Sequence, residues 1–378
     1  MSQYIDSPEK LQHLCTQLQQ HDWIALDTEF IRERNYYPQL CLIQVAAGET
    51  LACIDPIAIS DLSPFLDILN NPRITKVFHA AYQDLEIFYY LMNSVPQPIF
   101  DTQPAASVLG LGEQMGYARL VENLLGVSLE KSQSRTDWSR RPLSQKQIDY
   151  AIDDVRYLQQ IYPLMLEKLN SQQRLSWLEH DFEYFIQIST YAVDLNDCWK
   201  RVKGKQFLKG QQLVVLQKLA AWREQIAMEK DKPRRWIVSD DILIDLSRRK
   251  PLDVEQIHSI RGINDGHLKR YYSMWFKTIR AAQKLPQSQW PCLPTKQKAT
   301  TEQEILIDLL MMMVRYQAQQ HHISPAAIAN RKSVTQMIIE GKTHFSNDWR
   351  GLLLNDLFSD ILANKKTISV QNGSLHIT

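Results

Sequence analysis

The stretch Trp23-Ile-Ala-Leu-Asp27-Thr-Glu29-Phe30 constrains this chain more than any other. An apolar run of strand character ends in two carboxylates two residues apart. A strand alternates its side chains with a period of two, so Asp27 and Glu29 point to one face. Two negative charges on one face of a buried strand are costly unless something positive lies between them. A divalent cation meets that need, and an oxygen-only donor set selects magnesium or manganese over zinc. Taken alone, Asp-x-Glu is more often a strand end with one acid capping a helix and the other solvated. The rest of the chain decides between these readings.

A length of 378 residues allows two or three domains and a substantial core. With 44% hydrophobic and 22% charged residues, the composition is that of an ordinary globular protein. Cys15, Cys41, Cys53, Cys198 and Cys292 are scattered and never form a Cys-x-x-Cys pair, which argues against a disulfide framework or a zinc site. A reducing, cytoplasmic location is expected. Asp6 and Glu9 precede any apolar run, unlike a signal peptide, and no stretch approaches the ~18 apolar residues of a membrane span. The net charge of +1 hides an asymmetry: residues 1–180 carry −8 and the remainder +9. Metal chemistry in the first half and polyanion capture in the second would explain the split.

Residues 7–20 read as an amphipathic helix capped by Ser7 with Pro8 at its first position. Candidate strands at 40–46 and 51–54 flank a Gly48-Glu49 turn, and with the strand ending at Phe30 they suggest an antiparallel meander. A helix over 61–69, a strand over 76–78 and a helix over 80–92 follow, giving an α/β domain with a mixed sheet. His79-Ala-Ala-Tyr-Gln-Asp84 places an acid in the first turns of that last helix, where the macrodipole alone would favour it. Tyr150 and Asp154, four apart in a helix opening near Ser144, share one helical face. Asp153 is turned about 100° away and is expected to be solvated.

Asp27-x-Glu29, then Asp84, then Tyr150-x-x-x-Asp154, in that order and in those settings, resembles the tyrosine subclass of the DEDD exonuclease superfamily. The resemblance extends over residues 1–170, including Leu42-Ile43-Gln44 and the loop from Lys131 to Trp138. The histidine subclass would place a histidine where Asp149 stands. What the resemblance implies is a ribonuclease-H-like exonuclease domain whose metal ligands are Asp27, Glu29, Asp84 and Asp154. It also implies that two divalent ions, Mg2+ or Mn2+, are held by them, and that Tyr150 positions the attacking water. Two ions activate a water and stabilise the leaving 3′ oxygen, which is what phosphodiester hydrolysis needs. Gln44, Lys131, Arg135 and Trp138 are the expected RNA contacts, since basic residues interleaved with an aromatic suit a nucleic-acid backbone and its bases.

After Leu169 the pattern is helical throughout. The marks Leu216-x-x-Leu219-x-x-Trp222-Arg223 and Ile260-x-Gly262-Ile263 resemble a helicase-and-RNase-D C-terminal (HRDC) domain. Residues 200–280 carry 19 basic and 9 acidic side chains, a surplus that favours phosphate binding over a merely solvated face. Three prolines between Leu285 and Pro294 mark a linker. The stretch from Thr301 resembles a second, diverged copy. The expected organisation is therefore an exonuclease domain at 1–195, an HRDC domain at 205–285 and an HRDC-like domain at 298–378. The nuclease part is expected to fold without residues 200–378.

That layout resembles the ribonuclease D family. The resemblance implies 3′-to-5′ trimming of RNA, above all of transfer-RNA precursors with single-stranded 3′ tails, with release of 5′-monophosphates and no membrane or obligate protein partner. A DNA 3′-5′ exonuclease would use the same carboxylates, and a non-catalytic nucleic-acid scaffold could keep the fold. The absence of a polymerase after the nuclease disfavours the first, and the full set of acids with Tyr150 disfavours the second.

Overall fold

In the computed structural model, which describes residues 3–129, 136–293 and 297–378, the constraining stretch lies in strand β2 (Trp23–Ile31). It sits inside a six-stranded sheet with β1 (Gln3–Ile5), β3 (Gln39–Ala47), β4 (Thr50–Ile54), β5 (Thr75–Phe78) and β6 (Ile99–Asp101) in the order β1-β4-β3-β2-β5-β6. β3 and β4 are antiparallel, with Ala47 opposite Thr50 across the two-residue Gly48-Glu49 loop. Gly48 has φ +54°, the left-handed geometry such loops require. β1 runs parallel to β4, β2 to β5 and β5 to β6, so the sheet is mixed. β1 and β6, three residues each, are too short to give a sequence signal.

Helix α1 (Pro8–Leu18) opens on Ser7, whose side chain accepts from the Lys10 amide. α2 (Ser63–Asn70) and α3 (Tyr82–Met92) flank β5, and α4 (Thr102–Val108) follows β6. α5 (Tyr117–Leu125) precedes the long α6 (Gln145–Ser171), which a Ser144–Gln147 capping box starts. α6 buries Ala151, Ile152, Val155, Leu158, Ile161, Tyr162, Met165 and Leu169, a stripe of helical period. Lys76 in β5 is fully buried, and its ammonium donates to the carbonyls of Asn71, Ile74 and Gln97 at 2.9, 2.7 and 2.6 Å. Those bonds pin the chain just before β5 and β6.

The chain forms two compact units. The first comprises Met1–Glu29, Leu40–Thr190 and Lys296–Thr378, and so holds the sheet together with the C-terminal helices. Helices Thr301–His321, Arg331–Ile339 and Trp349–Leu362 bury Leu310, Met313, Val314, Val334 and Phe358 in the same apolar core as Ala105, Leu120, Leu158 and Met165. Trp177 stacks on Trp349 with ring centroids 4.8 Å apart and planes 7° from parallel. Arg174 donates to the carbonyls of Val108 (2.9 Å) and His321 (2.7 Å). At Gly110 (φ +77°) a Cβ would stand 2.1 Å from the His322 carbonyl oxygen, so only glycine permits the approach. A core shared in this way runs against the expectation that the nuclease folds without residues 200–378. A hairpin of β7 (Ile368–Gln371) and β8 (Ser374–Ile377) closes the chain.

The second unit comprises Phe30–Gln39 and Tyr191–Thr295. Helices Gln211–Glu229, Asp240–Arg249 and Asp265–Gln283 pack around Leu216, Leu219, Leu243, Leu246 and Trp275, with Trp222 edge-on to Trp275 and Tyr271. The Phe30–Gln39 segment joins this core through Tyr36, whose hydroxyl bonds to Glu224. Asp231 accepts from Asn35 Nδ2 and from the amides of Tyr36 and Tyr37 at 2.6–3.0 Å. None of the described helices is long and apolar enough to cross a membrane.

Candidate active site

Asp27 and Glu29 leave the same face of β2, as the period of two requires, and α6 brings Asp154 to them. One carboxylate oxygen from each of the three lies within 4.8 Å of the others. Asp84, in the first turn of α3, is 6% exposed and accepts a hydrogen bond from Thr28, the residue between the two β2 acids. Tyr150 stands one turn before Asp154 on α6. Asp153 points elsewhere and pairs with Arg156 at 2.9 Å, as its place on the helix implies.

The electrostatics are those of crowded, uncompensated carboxylates. Burial, then the charge of Asp154, raises the Asp27 carboxyl well above its usual range. Burial followed by the charges of Asp27, Asp154 and Asp84 pushes Glu29 up to about 9. Burial and then Asp27 raise Asp84, while burial and the adjacent Asp153 lift Asp154 to about 7. Among the described residues, no lysine or arginine figures in these causes. Burial, then Asp154, Glu29 and Asp27, raises the Tyr150 phenol, which therefore stays a neutral donor. An oxygen-only cluster that cannot hold its own charge fits a hard divalent cation, which would neutralise it.

Three supporting groups have no sequence signature. Asp101 at the end of β6 is fully buried and accepts from the amides of Ala80 (2.9 Å), Ala81 (2.8 Å) and Gln103 (2.8 Å). It holds Ala80 at φ +60°, a left-handed conformation unusual for alanine, just where the chain turns into α3 and Asp84. Tyr117 places its hydroxyl 2.5 Å from the Asp154 carbonyl and 3.0 Å from that of Asp153, anchoring α6 at the acid it presents. Arg141 bridges to Asp55 at 2.6 Å.

The expected RNA contacts fare differently. Lys131 and Arg135 lie outside the described residues. Gln44 is 0% exposed, with neither amide atom bonded to a protein group, and Trp138 is 3% exposed with its ring 6.3 Å from that of Tyr150. The reading of these two as surface contacts is corrected to interior positions, because a side chain enclosed by protein offers no face for a base.

Comparison with known proteins accounts for this arrangement. The 3′-5′ exonuclease family profile matches residues 2–170, and the HRDC domain profile matches residues 212–279. The ribonuclease D of Bartonella henselae is 36% identical over 383 residues, covering 100% of this chain and 94% of its own length. The chain belongs to the ribonuclease D family. The ribonuclease D of Sphingobium indicum is likewise 36% identical, over 99% of this chain and 98% of its own. The crystal structure of Escherichia coli RNase D, an exoribonuclease involved in structured RNA processing, superposes with a TM-score of 0.84 at 31% identity, over 96% of this chain and 99% of that one. The protein is thus a 3′-to-5′ exoribonuclease, with an α/β nuclease domain of the ribonuclease D fold and a helical C-terminal region. Its family works with divalent metal, and the Asp27–Glu29–Asp154 cluster fits that requirement.

Proposed function

We propose that this ribonuclease trims single-stranded 3′ tails, those of transfer-RNA precursors included, one nucleotide at a time, using Asp27, Glu29, Asp84 and Asp154 to hold two Mg2+ or Mn2+ ions. The observation that carries the reading is the close approach of the half-buried carboxylates of Asp27, Glu29 and Asp154. Burial and one another's charge disfavour their charged forms, and among the described residues no lysine or arginine figures in that balance. Two divalent ions bound there would supply Lewis-acid stabilisation of the entering and departing oxygens of the scissile phosphate. Thr28 orients Asp84, Tyr117 and the α6 helix orient Asp154, and Tyr150 donates its phenolic proton to align the attacking water. Departure of the 3′ oxygen leaves the phosphate on the released nucleotide, so the products are 5′-monophosphates.

Residues 1–195 are the catalytic domain in this reading, residues 205–285 the HRDC domain that captures RNA, and residues 298–378 a diverged HRDC-like domain. Lys131 and Arg135 contact the RNA backbone, and the enzyme acts in the cytoplasm. Three of the HRDC unit's acids are engaged internally, with Glu224 on Arg234 and Tyr36, Asp231 on the Asn35–Tyr37 segment and Asp240 on Arg223, while Asp253, Glu255 and Asp265 face solvent. Lys232, Arg235 and the 59%-exposed Trp236 stand together on the surface, and basic side chains beside an exposed aromatic suit a single-stranded polyanion. The test compares rates on matched RNA and DNA oligomers with magnesium. Faster cleavage of RNA supports the proposal, and a preference for DNA overturns it.

A further inference from the structure

We propose that Arg141 is a positioning residue for catalysis: it clasps the turn before α6 to the sheet and thereby seats Trp138 against Tyr150. The inference rests on Tyr150 acting in the reaction. All five guanidinium N–H groups are engaged. Nε and Nη2 grip the two Asp55 oxygens at 2.6 and 2.7 Å, and Nη2 also reaches the Cys41 carbonyl at 2.6 Å. Nη1 donates to the carbonyls of Trp138 and Arg140, both at 2.8 Å. No donor remains for RNA, although the run Ser139-Arg140-Arg141 has the look of a phosphate contact. Its neighbour Arg140, whose side chain is 83% exposed and pairs with Asp137, is the residue that faces outward.

The far end of the clasp is equally fixed. Asp55 follows β4, its side chain 3% exposed, and it also accepts from the Tyr4 hydroxyl (2.6 Å) and the Ile57 amide (2.9 Å). Burial opposes its ionisation, yet the bonds from Arg141, Tyr4 and Ile57 hold the carboxyl below its usual range. Arg141 thus ties β1, β3 and the end of β4 to the turn, and the turn docks on the first turn of α6 through Thr136 and Gln147 (3.1 Å). The Trp138 carbonyl is one of the clasped groups, and the Trp138 ring packs beside Tyr150. A lysine cannot reproduce this, because one ammonium nitrogen cannot span both carboxylate oxygens and three carbonyls.

A double-substitution cycle on the full-length chain with magnesium tests the idea, reading kcat and KM on a single-stranded oligoribonucleotide for R141K, Y150F and the pair. R141K is expected to lower kcat about 10-fold, since small displacements of positioning groups cost up to about 10²-fold, while KM stays within about 2-fold. In the Y150F background the same change should alter kcat less than about 3-fold. Should R141K fail to fold, D55N, which keeps the shape and weakens the grip, replaces it in the cycle with a kcat loss of about 3-fold that Y150F again silences. Equal losses in both backgrounds, or a loss confined to KM, overturn the inference alone. Y150F turning over at the parental rate removes the underlying reading and the inference with it.

Discussion

Replacing Glu29 by glutamine should make the metal-free protein more stable and the metal-bound protein less so. Glu29 has its pKa raised from the ordinary 4.5 to about 9, so the folded state holds its proton more tightly than the unfolded chain does. The sign follows: the unfolded chain sheds the proton first, and folding is penalised progressively as pH rises from 4.5 towards 9. At about 1.4 kcal/mol per pH unit the penalty would reach an upper bound of about 5 kcal/mol at pH 8. Screening through the accessible edge of the site reduces the working figure to about 2 kcal/mol. A neutral glutamine removes it, and Tm in chelator at pH 8 should rise by roughly 4–8 °C, with little difference at pH 5. Magnesium at ~100 times its Kd would stabilise the parent by about 2.7 kcal/mol, a gain the variant largely forfeits. Thermal melts of both proteins, with chelator and with magnesium, at pH 5 and pH 8, should therefore cross. A variant less stable than the parent in chelator at pH 8 would refute the argument that burial and the neighbouring carboxylates disfavour an ionised Glu29.

Other outcomes follow from the same geometry. Tyr150→Phe should slow turnover by ~10²-fold or more with little change in metal affinity, measured by single-turnover kinetics and metal titration; parental rates would return Tyr150 to a packing role. Ending the chain at residue 293 should leave an aggregating or molten protein, because Leu310, Val314, Trp349, Leu354 and Phe358 each contribute about 1.5–3 kcal/mol of burial to a fold whose net stability is about 5–15 kcal/mol. A cooperative melt at the parental Tm would contradict the shared core. Trp236→Ala should weaken single-stranded RNA binding by about 1–3 kcal/mol with the salt slope unchanged, whereas Arg235→Ala should lower that slope by about 0.7; fluorescence anisotropy across a salt series separates the two.

What was legible in the sequence was local. Alternation put Asp27 and Glu29 on one face, the Ser144 cap and helical spacing put Tyr150 above Asp154, and the Gly48-Glu49 turn set β3 against β4. What was not legible depends on partners far along the chain. Arg141 carries no local signal, because its carboxylate partner lies 86 residues earlier, and Trp138 turns inward where the sequence suggested a nucleic-acid contact. Asp101 shows its purpose only once Ala80 is seen at positive φ. The helix from Thr301 announces a buried face without saying against what, and its Leu310, Met313 and Val314 pack into the core that also holds Leu120 and Met165. The Phe30–Gln39 segment, an ordinary connection between strands by sequence, carries Tyr36 into the second unit's core instead.

The central claim, a metal-dependent 3′-to-5′ trimming site built on Asp27, is tested most directly by a 3′-end ladder. RNA labelled at its 5′ end, with a single-stranded 3′ tail beside a stable stem, is incubated with the parent and with Asp27→Asn, in magnesium and in chelator, and the small products are identified. The expected result is a ladder of single-nucleotide steps that stalls near the stem, 5′-monophosphate products, no activity in chelator, and no activity from Asp27→Asn despite intact RNA binding. Internal cuts, 3′-monophosphates, or substantial trimming by Asp27→Asn would contradict the account.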